Sequence, residues 1–193
     1  LAHVKEEKDQ AVFAYTKKFD HADITEEKEA YETLPGSYAT EEEGVEQLIV
    51  VLKEQAFPVY LELHYYVYEK SDVITRSAKL CNGGDTPIRL RRLLSTQLDF
   101  SDHGYVVSDF HGGWAREMER TDTRITAGKF VNASYTGGSS SRANPFLMLS
   151  RENTTEEAGL CYGMNLIYSG NHYTAVEVGS FGKTRVVMGI NPQ

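Results

Sequence analysis

Apolar and polar positions along this chain recur with a period of two over most of its length, which is the spacing of strands with one covered face. The cleanest stretch is Val59-Tyr-Leu-Glu-Leu-His-Tyr-Tyr-Val-Tyr68. There Val59, Leu61, Leu63, Tyr65 and Val67 face one way, and Tyr60, Glu62, His64 and Tyr66 the other. Val45-Glu-Gln-Leu-Ile-Val-Val-Leu52 before it is apolar on both faces through much of its length and predicts a buried strand. Gln55-Ala-Phe-Pro58 joins the two as a hairpin-type connection. Val73-Ile-Thr-Arg-Ser-Ala-Lys-Leu80 follows, closed by Asn82-Gly-Gly-Asp85, a strong turn signal. Ile88, Leu90, Leu94 and Leu98 stay in register and predict a strand over 88–100.

Further on, Tyr105-Val-Val-Ser108 is a short strand leading to a Gly112-Gly113 turn before Trp114. Thr136-Gly-Gly-Ser-Ser-Ser141 is flexible in isolation and needs context to become ordered. Phe146-Leu-Met-Leu149 predicts a buried strand, and residues 153–159 a loop. Gly159-Leu-Cys-Tyr-Gly-Met-Asn-Leu-Ile-Tyr-Ser169 predicts a strand with Tyr162, Met164, Leu166 and Tyr168 on one face. A Ser-Gly-Asn turn then delivers His172 and Tyr173 to a sheet end. Residues 173–178 and 184–190 form a closing pair around Ser180-Phe-Gly182. The first forty residues mix signals: Ala11-Val-Phe-Ala-Tyr15 has strand composition, and Thr25-Glu-Glu-Lys-Glu-Ala-Tyr-Glu32 helical composition. Leu34-Pro-Gly-Ser37 punctuates, and Thr40-Glu-Glu-Glu-Gly44 reads as an exposed acidic turn. Many short strands at near-regular spacing predict an all-β sandwich of antiparallel sheets with little helix, a single domain over 1–193.

Composition narrows the function classes. A formal charge of −8 argues against nucleic acid, since phosphate binding needs a concentrated basic surface. Arg89, Arg91 and Arg92 form the only dense basic cluster and read as a solvated or ion-paired strand edge. No apolar run approaches the roughly 20 residues that span a bilayer. The N-terminus, Leu-Ala-His-Val-Lys-Glu-Glu-Lys, has no signal-peptide pattern, so a cytoplasmic location is expected. Cys81 and Cys161 lie far apart without metal-ligand spacing and read as free thiols in a reducing compartment.

The chemistry-bearing residues form no catalytic constellation. Six His residues show neither an HExxH pattern nor a tight pair, so no metal is expected. The glycine pairs at 83–84, 112–113 and 137–138 precede no helix carrying Lys-Ser/Thr, so no phosphate loop is expected. Asp99 and Asp102, with Asp109 and Glu117 nearby, invite comparison with the two carboxylates of glycoside hydrolysis, which lie about 5–5.5 Å apart in retaining enzymes. Here Asp99 and Asp102 flank a strand end, where Asp is a good turn residue, and no catalytic residue is assigned. The one Trp, Trp114, follows a Gly-Gly turn, and Arg116 two positions on would share its face in a strand. Such a pair offers a flat platform for a sugar ring beside a planar donor fork. The alternative is a Trp that plugs the sandwich end while Arg116 pairs with an acidic neighbour. The sequons at Asn132 and Asn153 are read as chance occurrences.

Several of these segments, in this order, resemble the N-terminal β-domain of the family 36 glycoside hydrolases, the bacterial-type α-galactosidases. They are residues 34–40, 72–77, 92–100, Phe110-His-Gly-Gly-Trp-Ala-Arg-Glu117, Ser139-Ser-Ser-Arg-Ala-Asn-Pro-Phe146, residues 159–172, 176–182 and 189–192. The resemblance implies a β-supersandwich domain preceding a (β/α)8 catalytic barrel and a small C-terminal β-domain. It implies a retaining hydrolase of raffinose-type oligosaccharides and melibiose, with two barrel aspartates as nucleophile and acid/base and no metal or organic cofactor. Partners so implied are the barrel of the same enzyme, further copies in a homo-oligomer, and an α-galactoside at the domain boundary, where Trp114 and Arg116 are the candidate substrate contacts. A stand-alone carbohydrate-binding module and a pure oligomerisation domain are the alternatives from other classes.

Overall fold

The structure, a computed structural model, describes residues 45–192 and the strand Asp23–Thr25. The strand, helix and turn expected around residues 11–15, 25–32, 34–37 and 40–44 lie outside the described residues, apart from Thr25. The chain divides into two compact units, Leu1–Arg89 and Leu90–Gln193.

In the first unit, β1 (Asp23–Thr25), β2 (Val45–Lys53), β3 (Val59–Tyr68) and β4 (Val73–Asn82) form one antiparallel sheet in sequence order. The Pro58 connection closes β2 onto β3 through a Glu54 N–H to Val59 carbonyl bond of 2.9 Å. Of the two faces of β3, the one bearing His64 and Tyr66 holds its buried residues. Polar groups survive there because they satisfy one another: Glu62 accepts from Lys79 at 3.1 Å and meets the His64 ring at 3.1 Å. Burial alone would raise the Glu62 pKa, but these bonds and a Cys81 contact outweigh it and lower the value. On β2 only Ile49 is buried, so the strand expected to be covered on both faces is half-covered along most of its length.

The second unit is a sandwich of two four-stranded antiparallel sheets. One has the order β10 (Cys161–Asn165), β9 (Phe146–Ser150), β6 (Val106–Gly113), β7 (Arg116–Arg124). The other has the order β5 (Thr96–Phe100), β12 (Thr184–Ile190), β11 (His172–Val178), β8 (Gly128–Ala133). Val107, Leu147 and Leu149 of the first sheet meet Val176, Val186 and Met188 of the second, with Tyr105 and Ile125 closing the layer. On β9 the alternation is complete: Leu147 and Leu149 are buried while Phe146, Met148 and Ser150 are half-exposed.

Three expectations are revised. The segment expected as a strand over 88–100 is extended only from Thr96. Ile88 and Leu90 are exposed, and Arg89, Arg91 and Arg92 sit off any strand, with Arg92 stacked 4.6 Å over the Tyr173 ring. Residues 94–95 instead lie against the outer face of β12, where a Cβ on Gly189 would come within 2.7 Å of the Leu94 Cα. The strand expected over 159–169 ends at Asn165. Met164 and Leu166 do pack on the core, but Tyr168 is 43% exposed because the chain has already left the sheet. The Gly112–Gly113 turn is the end of a longer β6, and β7, unpredicted, pairs with it from Val106↔Arg124 to Gly113↔Arg116.

Leu149 is fully buried between the sheets, so Leu149→Ala is expected to cost about 2–5 kcal/mol. Chemical denaturation checks this, with Leu160→Ala, at a 68% exposed position, expected to be near neutral.

Candidate functional site

Both sheets run between the same two sets of loops. Residues 114–115, 134–145, 166–171 and 191–192 gather at one end of the sandwich. Residues 101–105, 125–127, 151–160 and 179–183 gather at the other. An eight-residue β6 separates the ends by about 26 Å.

The first end carries Trp114. It occupies a two-residue turn between Gly113 and Arg116 and is 94% exposed. The turn is tightly specified. Gly112 sits at φ +147° in a bulge, where a Cβ would fall 1.9 Å from the Arg116 carbonyl oxygen. Ala115 and Met118 also take positive φ, and Glu117 accepts from the Ala115 N–H at 2.8 Å. The base of the hairpin is tied to residue 144, whose N–H bonds the Phe110 carbonyl at 3.0 Å. Trp114 is therefore no plug of the sandwich interior. Arg116 opens β7 and pairs with Glu119 at 3.1 Å, so the two candidates sit side by side at the hairpin tip, one in the turn and one in the strand.

The neighbouring loops are ordered by each other. Asn171 accepts from the Gly137 N–H at 2.7 Å, and Ser139 bonds the carbonyls of Ser169 and Tyr168 through its N–H and hydroxyl. The Ser134 hydroxyl donates to the Gly138 carbonyl at 2.5 Å. Asn191 donates its N–H to the Asn171 carbonyl and its side-chain amide to the Ser134 carbonyl. This is the context that the serine–glycine run needed. His172, fully buried, is bonded to the Asn132 side chain at 2.9 Å, and burial lowers its pKa. It is thus a pin beneath the loops and unreachable by a sugar, and Asn132 of the first sequon is likewise buried. Above the pin, Trp114, Tyr135 (61%), Ile167 (78%) and Tyr168 remain exposed. Composition alone could not reveal this cluster, because its members are scattered across three loops. The one available signal was that each lies beside a Gly or Ser turn.

The acidic residues do not assemble a carboxylate pair. Asp99 is clamped by Arg185 at 2.6 and 2.9 Å, which lowers its pKa. Asp102 is lowered by the Tyr105 hydroxyl and then by Arg151, and Asp122 by Ser108 and then Arg120. Asp109 differs: burial on β6 raises its pKa. Cys81 and Cys161 are both free thiols. Among the described residues no group of His, Cys, Asp and Glu could hold a metal, and no helix is long and apolar enough to cross a membrane.

Residues 3–193 match the glycosyl hydrolase family 36 N-terminal domain. The chain is 38% identical over 159 residues to the alpha-galactosidase AgaA of Geobacillus stearothermophilus, covering 82% of this chain and 22% of that protein. It is 36% identical over 165 residues to the probable alpha-galactosidase C of Aspergillus oryzae, covering 86% and 22%. The likeness therefore extends to fungal as well as bacterial relatives, and the chain spans about a fifth of their length. The crystal structure of the Geobacillus enzyme superposes with a TM-score of 0.81 at 37% identity, covering 89% of this chain and 24% of that one. The alpha-galactosidase of Lactobacillus brevis superposes with a TM-score of 0.83 at 35% identity, covering 90% and 23%. Variants of the Geobacillus enzyme have been solved with raffinose and with stachyose.

Two outcomes follow from the hairpin and the carboxylates. Gly112→Ala is expected to destabilise by about 1–3 kcal/mol, while Gly113→Ala, with open space at its Cβ, stays within about 1 kcal/mol in urea denaturation. Because the folded pKa of Asp109 lies above its unfolded value of about 3.9, its ionisation opposes folding as pH rises through that window. Asp109→Asn is then expected to stabilise the chain at pH 7, with the gain disappearing below about pH 4.

Proposed function

The chain belongs to the glycosyl hydrolase family 36 N-terminal domain, and from that membership we propose that it is the non-catalytic β-supersandwich domain of a retaining α-galactosidase acting on raffinose- and melibiose-type galactosides. Both units are read as parts of this one domain, because a single family match runs from residue 3 to residue 193. The catalytic nucleophile and acid/base belong to a (β/α)8 barrel carried elsewhere in such an enzyme. No metal or organic cofactor is called for, and a cytoplasmic setting suits the two free thiols.

The observation that carries the reading is the loop end of the sandwich. Exposed aromatic and aliphatic side chains on hydrogen-bonded, mutually braced loops are the mark of a surface built to be covered. Asn191 is pinned into the same end, so a following domain would start beside that surface. We assign the end to packing against the catalytic barrel and to assembly of copies. Trp114 and Arg116, at the hairpin tip, then reach the rim of the galactoside site. There the indole provides a stacking face for the sugar and the guanidinium donates to its hydroxyls.

A second reading, an independent sugar-binding module, draws on the exposure of Trp114 alone. Fluorescence of Trp114 titrated with raffinose separates them, a saturable shift favouring the module and silence the packing domain. Turnover tests the absence of catalysis that both share. The 193-residue chain is expected to release no phenol from an aryl α-galactoside, and measurable turnover would sink the non-catalytic assignment. In the full-length enzyme, Trp114→Ala is expected to lower kcat/KM by about tenfold or more with an unchanged melting temperature, since the residue packs against little in the sandwich. An unchanged kcat/KM would remove Trp114 from the galactoside site.

A further inference from the structure

The opposite end of the sandwich holds a recess of about 280 Å3 lined by Phe100, Ser101, Asp102, Tyr105, Arg151, Leu160 and Tyr162. Its floor is a row of packed groups, the rings tilted against one another. Arg151 lies 4.0 Å over the Tyr105 ring, Tyr105 is 5.3 Å from Phe100, and Phe100 is 5.1 Å from Tyr162. The row ends on apolar surface open to solvent, with Tyr162 41% and Leu160 68% exposed.

The polar wall is fixed from several sides. Asp102 accepts from the Tyr105 hydroxyl at 2.7 Å and from Arg151, and its carbonyl accepts from the Thr184 hydroxyl at 2.8 Å. Arg151 also donates to the His103 carbonyl at 2.7 Å, and His103 in turn meets the Gly182 carbonyl at 3.1 Å. Three loops and the start of β12 thus hold one carboxylate–guanidinium pair in place while both members keep solvent-facing surface, 52% for Asp102 and 36% for Arg151. An exposed ion pair of this kind adds little to stability by itself, and both members also lie against Tyr105 at the end of the core, which fixes their position.

The charge balance selects the ligand. Asp102 and Arg151 neutralise each other, so the wall attracts neither an anion nor a cation strongly. It still offers carboxylate lone pairs, guanidinium hydrogens and the Ser101 hydroxyl at fixed positions beside an aromatic and aliphatic floor. A ring with hydroxyls on its edge and C–H bonds on its face matches both surfaces. We propose that this recess is a binding site for a neutral pyranose, with Tyr162 and Leu160 meeting the sugar's apolar face and Asp102 and Arg151 its hydroxyls. The site lies about 26 Å from the Trp114 hairpin and is independent of the galactosidase reading.

The test is a raffinose titration of the 193-residue chain followed by amide and side-chain NMR shifts. Saturable shifts centred on Asp102, Arg151, Leu160 and Tyr162, with a Kd on the order of millimolar, are expected. Tyr162→Ala is expected to weaken binding about tenfold or more. Leu160→Ser, at an exposed loop position that cannot threaten the fold, is expected to weaken it measurably. Trp114→Ala should leave these shifts unchanged. The proposal is overturned if no saturable shift appears at about a hundred times that Kd range. It is equally overturned if the shifts survive both recess variants or map to the Trp114 hairpin instead. None of these failures touches the galactosidase reading, which is decided by turnover.

Discussion

Two sheets that share one apolar layer can be joined only by loops at their ends, and those loops must satisfy their backbone polar groups without a ladder partner. This constraint organises the sandwich unit. The layer of Val107, Leu147, Leu149, Val176, Val186 and Met188 is sealed at one end by Tyr105 and Ile125, whose backbones bond each other at 2.9 Å. At the other end the core becomes polar, and Asn132 and His172 take over as a buried hydrogen-bonded pair. The loops above that pair are then bound to one another by Ser134, Ser139, Asn171 and Asn191. A serine–glycine segment becomes a rigid support because its partners are equally fixed.

Rigid loops make the exposure of Trp114 meaningful. An indole left in water forgoes the burial that would favour folding, on the order of 2–3 kcal/mol for a large side chain. A mobile tip would let the ring fold back onto the sandwich. The bulge at Gly112, the left-handed Ala115 and Met118, and the Glu117 bond to the turn together hold it outward. Backbone conformations that cost free energy locally persist where the surrounding structure over-determines them, and such places cluster at functional surfaces.

Much of this architecture was legible from period and punctuation. Val59–Tyr68 has the boundaries that its alternation predicts, and the β9 and β11–β12 strands fall where apolar runs meet Gly-containing turns. β7 was illegible for a physical reason: Arg116-Glu-Met-Glu-Arg-Thr-Asp-Thr-Arg124 is an edge strand with almost every residue exposed, so it has no apolar face to announce it. Its strand identity comes from hydrogen bonds to β6 and from flanking charges suited to an edge. The 88–95 stretch erred in the opposite direction, carrying the right periodicity without a neighbouring strand to pair with. At the candidate site, the prominence of Trp114 was visible in the sequence. Its outward turn, and the exclusion of His172 from the surface, depended on long-range contacts that no local pattern encodes.

The carboxylates supply the last step. General acid–base hydrolysis of a glycoside needs two acidic groups with opposed demands, one kept protonated and one ionised, facing each other across a bond. In the sandwich Asp99, Asp102 and Asp122 are all held in the ionised form by guanidinium or hydroxyl partners. Asp109, the one Asp there with a raised pKa, lies on β6 with Asp122 on the adjacent strand as its like-charged neighbour, and Asp122 is occupied by Ser108 and Arg120. Asp109 pairs with Thr121 and Asp122 with Ser108, so the two carboxylates stand on opposite faces of the β6–β7 pair and do not face each other across one site. The proton transfers of such a hydrolysis require two carboxylates that face each other with opposed pKa shifts, and Asp99, Asp102, Asp109 and Asp122 are not arranged that way.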